Sequence, residues 1–250
     1  MNILGITASQ SGAAGGLPVS GAVLWLDASD STTFTFSSGT RVSEWRDKSG
    51  NGYHFTQATS TYQPDRSATQ NSKDAVKMRV GAQGYFMRNT AVNFFSSAFT
   101  VLTVIQPKTG NYTAYFGQDS TGYMQLGQDS ANPSVLSISR IGQATASSNL
   151  TLANNTTNQI TFKSTAGVSG GSLTVQIYKS KTAASSTQTL GSTASQAVSM
   201  IGGSISASAP LIADVYGDGG YLCELIIYQS ALSDTNRELV EQYLIDKWGV

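Results

Sequence analysis

Ala22-Val23-Leu24-Trp25-Leu26-Asp27-Ala28-Ser29-Asp30 near the start of the sequence and Tyr221-Leu222-Cys223-Glu224-Leu225-Ile226-Ile227-Tyr228 near its end read as partners. Each is a short apolar run, the pattern of a strand buried in a core. Between them lie further runs of this kind, separated by Gly, Ser, Asn and Asp, the punctuation of an all-β chain. When the first and last strands both read as core strands, a closed sandwich with neighbouring termini accommodates them most readily.

Working outward, strands are expected at 23–27, 42–46, 75–80, 85–88, 99–106, 113–116, 123–126, 135–139, 159–163, 173–178, 212–216 and 222–228. Leu173-Thr174-Val175-Gln176-Ile177-Tyr178 alternates cleanly and predicts one buried and one wet face; Thr161 and Lys163 suggest the same for 159–163. The Ser/Thr/Ala/Gly-rich stretches 144–158 and 180–208 read as exposed loops or outer strands. One helix opens at Ser233, a good N-cap, with Asp234 at its positive end, Lys247 in the last turn and Gly249 as the stop. Leu239, Val240, Tyr243 and Leu244 form its expected apolar face, and Trp248 anchors it as a lid on the sandwich. Residues 1–20 are Gly/Ala/Ser-rich, with a breaker at Gly15-Gly16-Leu17-Pro18. They read either as a frayed tail or as an attachment arm carried by Ile3, Leu4 and Ile6.

The chain's 250 residues can bury a large core without staples. Charged residues make up only 12% of it, about half the usual share, and formal net charge is zero. No basic field attracts nucleic acid, and no polybasic cluster or long apolar run predicts membrane binding or insertion. Weak repulsion between copies favours homo-oligomers. The single cysteine, Cys223, forms no intrachain disulfide and reads as a buried core residue. The start of the sequence has no pattern of a secretory signal.

The segments "LWLDASDSTTF…VSEWRDKSGNGYHFTQ", "FTVLTVIQP" and "GYLCELIIYQSALSDTNRELVEQYLIDKWG" carry a family resemblance. The chain resembles the laminin-G-like branch of the concanavalin A-like lectin/glucanase superfamily, in particular copies found in phage and other virion proteins. The resemblance spans about residues 21–250 and is strongest at the two ends. It implies an all-β, two-sheet antiparallel jelly-roll sandwich with one short C-terminal helix, a fold commonly used for adhesion or carbohydrate binding. Fold likeness alone does not establish function.

Chemistry narrows the choices. Glycosidases of that superfamily use closely spaced, alternating carboxylates, one as acid and one as nucleophile or base. This sequence has four glutamates, Glu44, Glu224, Glu238 and Glu241, and none belongs to such a set. The only histidine, His54, follows a turn and reads as a structural side chain. No His/Cys cluster predicts zinc, and no glycine-rich phosphate loop is present. Calcium, common in laminin-G-like domains, would need oxygen ligands. Asp47 with Asn51 is the leading candidate, followed by Asp27 with Asp30 and Asp214 with Asp218; ordinary turn chemistry is the competing role for each. Sugar recognition would use aromatics with amide and carboxylate partners. The richest stretch holds Tyr112, Tyr115, Gln118, Asp119, Tyr123 and Gln125, although alternate tyrosines could equally be core. Trp25 and Trp45 read as core.

The resulting expectation is a non-enzymatic virion surface protein: a capsid decoration, head-fibre or tail-associated subunit made in the host cytoplasm. It would attach to other virion proteins through residues 1–20 and display the 21–250 sandwich. An adhesin whose main role is binding host surface glycans is the alternative, and a polysaccharide hydrolase, lacking its carboxylate pair, the third.

Overall fold

A computed structural model describes residues 16–79, 87–107, 114–117, 124–128, 134–140, 145–167, 172–191, 197–201, 205–206, 209–210 and 218–250. The strands are β1 (Ala22–Asp27), β2 (Phe34–Ser38), β3 (Arg41–Trp45), β4 (Phe55–Thr56), β5 (Asp65–Gln70), β6 (Lys73–Arg79), β7 (Met87–Asn93), β8 (Phe99–Gln106), β9 (Ala114–Gly117) and β10 (Met124–Gln128). They continue as β11 (Val135–Arg140), β12 (Thr145–Thr151), β13 (Asn158–Ser164), β14 (Leu173–Lys179), β15 (Thr182–Ala183), β16 (Gln188–Leu190), β17 (Ala197–Ile201), β18 (Ile205–Ser206), β19 (Ala209–Pro210) and β20 (Asp218–Tyr228), followed by helix α1 (Asp234–Trp248). The fold is all-β and sandwich-like with one C-terminal helix, as the sequence predicts. The strand expected at 212–216 lies outside the described residues.

The two decisive stretches pair directly. β1 lies antiparallel to β20, from Ala22 opposite Tyr228 to Asp27 opposite Glu224. β8 runs along the other side of β20, from Gln106 opposite Tyr221 to Thr100 opposite Tyr228. The first part of β20 pairs instead with β6, through Asp218–Arg79 and Leu222–Val76. β20 therefore changes partner along one edge and joins two parts of the ladder. On one side the order continues β8, β13, β14. On the other it runs β6, β5, β3, with β2 and β4 on β3, and then β7, β17, β9, β10, β11 and β12. The layers are thus one continuous antiparallel ladder, with β18–β19 as a separate small hairpin. They meet through rings on strands that are not ladder neighbours: Phe116 of β9 lies edge-on to Phe162 of β13 at 6.3 Å.

The central strands are buried on both faces, which is why they read as continuous apolar runs. Leu24, Leu26, Val101, Leu102, Leu225, Ile226 and Ile227 have no exposed surface. Buried polar groups inside them are paired, as burial demands. The Thr103 hydroxyl donates to the Glu224 carbonyl at 2.8 Å, and that of Thr100 to the Ser230 carbonyl at 2.9 Å. β14 alternates as predicted.

β13 corrects its predicted wet face. Gln159 and Thr161 are fully buried, because α1 lies over them and Thr161 donates to the Glu241 carboxylate at 2.7 Å. The helix begins and ends where expected. The Ser233 side chain accepts from Asn236 N at 3.2 Å, and Gly249 takes the left-handed conformation at φ 68°. Its buried face is rotated relative to the predicted one: Arg237, Val240, Glu241, Leu244 and Trp248 face inward, while Leu239 and Tyr243 are half-buried. Arg237 can turn inward because it pairs with Glu241 at 2.5 Å and stacks on Tyr178 at 4.0 Å. Among the described residues no helix is long and apolar enough to cross a membrane.

Candidate functional site

The turn after β3, residues 47–52, folds over the outer edge of β1. Gly50 and Gly52, at φ 91° and 76°, let it reverse direction. Asp47 Oδ1 accepts from Trp25 N at 3.0 Å and Ser49 N at 2.8 Å. Its Oδ2 accepts from the Ser49 hydroxyl at 2.7 Å and Tyr53 N at 3.2 Å. Asn51 Nδ2 donates to the Val23 carbonyl at 3.1 Å and to Ser49 Oγ at 3.0 Å. Lys48 N donates to the Trp25 carbonyl at 2.8 Å. Side chains and backbone of the turn occupy the place of a further strand, so β1 does not present an open edge. His54 joins here: it is exposed, and its Nδ1 accepts from Asp47 N at 3.0 Å.

Asp47 and Asn51, the leading calcium candidates, thus meet in this turn with hydrogen bonds on each of Asp47's oxygens. The second candidate pair, Asp27 and Asp30, brackets an ammonium group: Lys48 Nζ lies 3.0 Å from Asp27 and 2.7 Å from Asp30. Among the described residues no group of three or more His, Cys, Asp or Glu is gathered as a metal would require. Asp214 lies outside the described residues.

Beneath the turn is an arrangement the sequence reading missed. Glu224 stands alone among apolar neighbours in sequence, yet in space it is a hub with no exposed surface. Its Oε1 accepts from Trp25 Nε1 at 2.7 Å and from the Tyr243 hydroxyl at 3.0 Å. Its Oε2 accepts from Trp248 Nε1 at 2.7 Å and pairs with Lys247 Nζ at 2.7 Å. Lys247 also reaches Asp27 at 2.8 Å, which links the hub to Lys48 and Asp30. Strands β1 and β20, the turn and α1 are thereby tied by one chain of charges. The one sequence clue was spacing: Tyr243 and Lys247, four residues apart, share a helical face.

The two buried carboxyls are pushed in opposite directions. Burial raises Glu224 above the usual carboxylate range, the neighbouring Asp27 charge adds to this, and Lys247 and Trp248 oppose it. Burial also acts to raise Asp27, but Lys247, Ser29 and Lys48 outweigh it and hold Asp27 low. Asp30 is pulled down to about 2, chiefly by its hydrogen bond with Lys48. Glu224 therefore contributes stability that is full below its unfolded value and lost as pH rises through its raised folded value. Asp27 and Asp30 contribute stability that is present above their unfolded values and lost as pH falls toward about 2. The Glu224 contribution should therefore decline as pH rises above the usual glutamate range, and thermal unfolding across pH should show that decline lessened in Glu224→Gln. A wild-type profile with no decline above that range would contradict this assignment.

Above the hub opens a cleft of about 270 Å³, bounded by residues 17–22 and the turn. Leu17, Val19, Ala22, Trp25, Lys48 and Ser49 line it. Lys48 lies 4.3 Å over the Trp25 ring, and the Tyr228 hydroxyl donates to the Val19 carbonyl at 2.7 Å, fixing one wall. Trp25 is only 7% exposed and Trp45 not at all, in keeping with their reading as core.

Tyr112, Gln118, Asp119 and Tyr123 lie outside the described residues, as do Ile3, Leu4 and Ile6. Tyr115 and Gln125 fall on β9 and β10, which pair antiparallel with Gln125 opposite Gly117.

No protein-family model matches the chain, and no curated protein matches it in sequence. Solved structures match it in shape. The chain is similar to Trypanosoma rangeli sialidase in complex with sialic acid, at 12% identity and TM-score 0.59, over 92% of this chain and 34% of that one. It is similar to the botulinum neurotoxin type G receptor binding domain, at 14% identity and TM-score 0.55, over 91% of this chain and 52% of that one. It is also similar to Domain 4 of AbnA, a GH43 extracellular arabinanase from Geobacillus stearothermophilus, in complex with arabinotriose, at 17% identity and TM-score 0.50. That match covers 79% of this chain and 92% of the domain. The chain thus spans about a third of the sialidase and about half of the toxin domain. At these identities the likeness carries the fold, a sandwich-like β domain, and nothing finer.

Proposed function

We propose that this chain is a non-catalytic, lectin-like module of the concanavalin A-like superfamily, displayed on a virion surface for adhesion to the host. The observation that supports the lectin-like part most directly is the match to the arabinotriose-bound Domain 4 of AbnA over 92% of that domain. The placement of the glutamates supports a non-catalytic role. Glu224 and Glu241 are fully buried and paired, and Glu44 and Glu238 pair with Arg46 at 3.1 Å and Arg237 at 3.0 Å. The virion setting rests on the resemblance at the two ends of the sequence and on the low surface charge. In this reading Ile3, Leu4 and Ile6 mark the arm that meets other virion proteins. Tyr112, Tyr115, Gln118, Asp119, Tyr123 and Gln125 are the first residues to test for glycan contact.

The test is a polysaccharide and glycan-array screen of the purified chain, with and without calcium, followed by sizing of any retained polymer. Retention without shortening is the expected result. No binding above background would remove the lectin reading, and shortening of the polymer would replace it with a hydrolase. Deleting residues 2–20 should abolish incorporation into particles; unchanged incorporation would favour the second reading, a free glycan-binding adhesin.

A further inference from the structure

The chain contains one Asn-Gly dipeptide, Asn51-Gly52, and the fold places it on the turn that covers β1. Both residues are exposed. Gly52 has no side chain to shield its backbone nitrogen, and the space where a Cβ would stand has no atom within 4 Å. Other asparagines of the described body precede bulkier residues, as in Asn149-Leu150, Asn158-Gln159 and Asn236-Arg237. The Asn51 carboxamide fastens the turn to β1, because its nitrogen makes both bonds, to Val23 O and to Ser49 Oγ.

We propose that Asn51 is a site of spontaneous self-modification that unfastens the outer edge of β1. The backbone nitrogen of Gly52, on losing its proton, attacks Cγ of Asn51. The new C–N bond closes a five-membered succinimide, and the Cγ–Nδ2 bond breaks as ammonia leaves with the proton. Water then opens either carbonyl of the ring, leaving aspartate or isoaspartate at position 51. The only co-reactant is water, and no oxidant or reductant is involved.

The structural consequence follows from which atom departs. The leaving nitrogen is one of two donors to Val23 O; the other is the Ser49 hydroxyl at 3.0 Å, which is shared with the Asp47 carboxylate. The nitrogen's replacement is a carboxylate, an acceptor facing a carbonyl acceptor, in a turn that already carries the Asp47 carboxylate on the same Ser49. Unfavourable acceptor–acceptor contact and like-charge repulsion both push the turn away from β1. Formal net charge falls from zero to minus one, a large relative change for a chain so poor in charge.

The test uses the full chain, held for days at mildly alkaline pH and warm temperature beside the variants Asn51→Gln and Gly52→Ala. Isoelectric focusing should show a single acidic step of one charge. Peptide mapping should place it at Asn51, with an isoaspartate fraction. Gly52→Ala should slow the step several-fold, and Asn51→Gln should abolish it. Hydrogen exchange at Val23–Trp25 should rise in the converted protein, and the variant Asn51→Asp should show that rise without incubation. No acidic step, or a step that persists in Asn51→Gln, would overturn the modification. Conversion with unchanged exchange along β1 would overturn its proposed effect on the edge.

Discussion

Glu224→Ala should lower the stability of the folded chain by about 3–5 kcal/mol, the cost of removing one partner from a buried ion pair. The carboxylate is fully buried and receives the indole N–H groups of Trp25 and Trp248, the Tyr243 hydroxyl and the Lys247 ammonium. Alanine leaves two buried indole donors without an acceptor and Lys247 with Asp27 as its only carboxylate in the hub. For a chain of this size, about 2–4 °C per kcal/mol gives a fall in melting temperature of about 6–20 °C. Glu224→Gln should fall between wild type and alanine, because its amide keeps one acceptor oxygen and sets an NH2 group against existing donors. Pairing the alanine change with Lys247→Met should cost less than the two single changes added together, since both break one network. Denaturant unfolding with a loss below about 1 kcal/mol for Glu224→Ala would show that the hub contributes little, as exposed pairs do.

Gly220→Ala is the second change with a large expected effect, and it acts through the backbone. Gly220 stands in the part of β20 that pairs with β6, at a register shift between Asp218 and Tyr221. Its φ is +88°, and an added Cβ would lie 2.3 Å from the Gln106 carbonyl oxygen and 3.3 Å from its carbon. Both are backbone atoms of β8 and its exit, so no side-chain rotation relieves the contact. Left-handed strain of about 1–3 kcal/mol and overpacking of about 1–3 kcal/mol together predict a loss of about 2–6 kcal/mol. Gly191→Ala provides the control: nothing lies within 4 Å of its Cβ position, and its change should stay within about 0.5 kcal/mol. Equal melting temperatures for the two variants would refute the steric account.

The central ladder was legible because burial on both faces leaves a continuous apolar run in sequence, as in β1, β8 and β20. The outer strands were harder. β5, with the sequence DRSATQ, presents no apolar alternation, and its formation depends on β6 and β3 rather than on its own composition. The helix was found from its caps, but its face was rotated because periodicity counts Arg237 and Glu241 as outward. In space each neutralises the other, and burial becomes affordable. The Glu224 hub was hidden for a different reason: Trp25 and Glu224 are 199 positions apart, and nothing local marks them as partners. Asp47 and Asn51 were recognised as a unit from spacing alone, but their contacts with β1 required the three-dimensional turn.

The position of β20 in the ladder has a consequence for how the chain acquires its shape. β20 is the strand between β1 and β8, yet it lies toward the far end of the sequence from β1. At about 5–20 residues per second of synthesis, the 199 positions between Trp25 and Glu224 take roughly 10–40 s to make. β1 waits through that whole interval, and β8, finished at Gln106, through the later part of it, without the strand that fills the gap between them, and folding to the native ladder must await it. Pairings this distant in sequence also slow folding after release. The emerging polypeptide therefore passes through a prolonged stage with apolar strands awaiting their mate, a window for chaperone capture or aggregation that closes when the last strand slots into place.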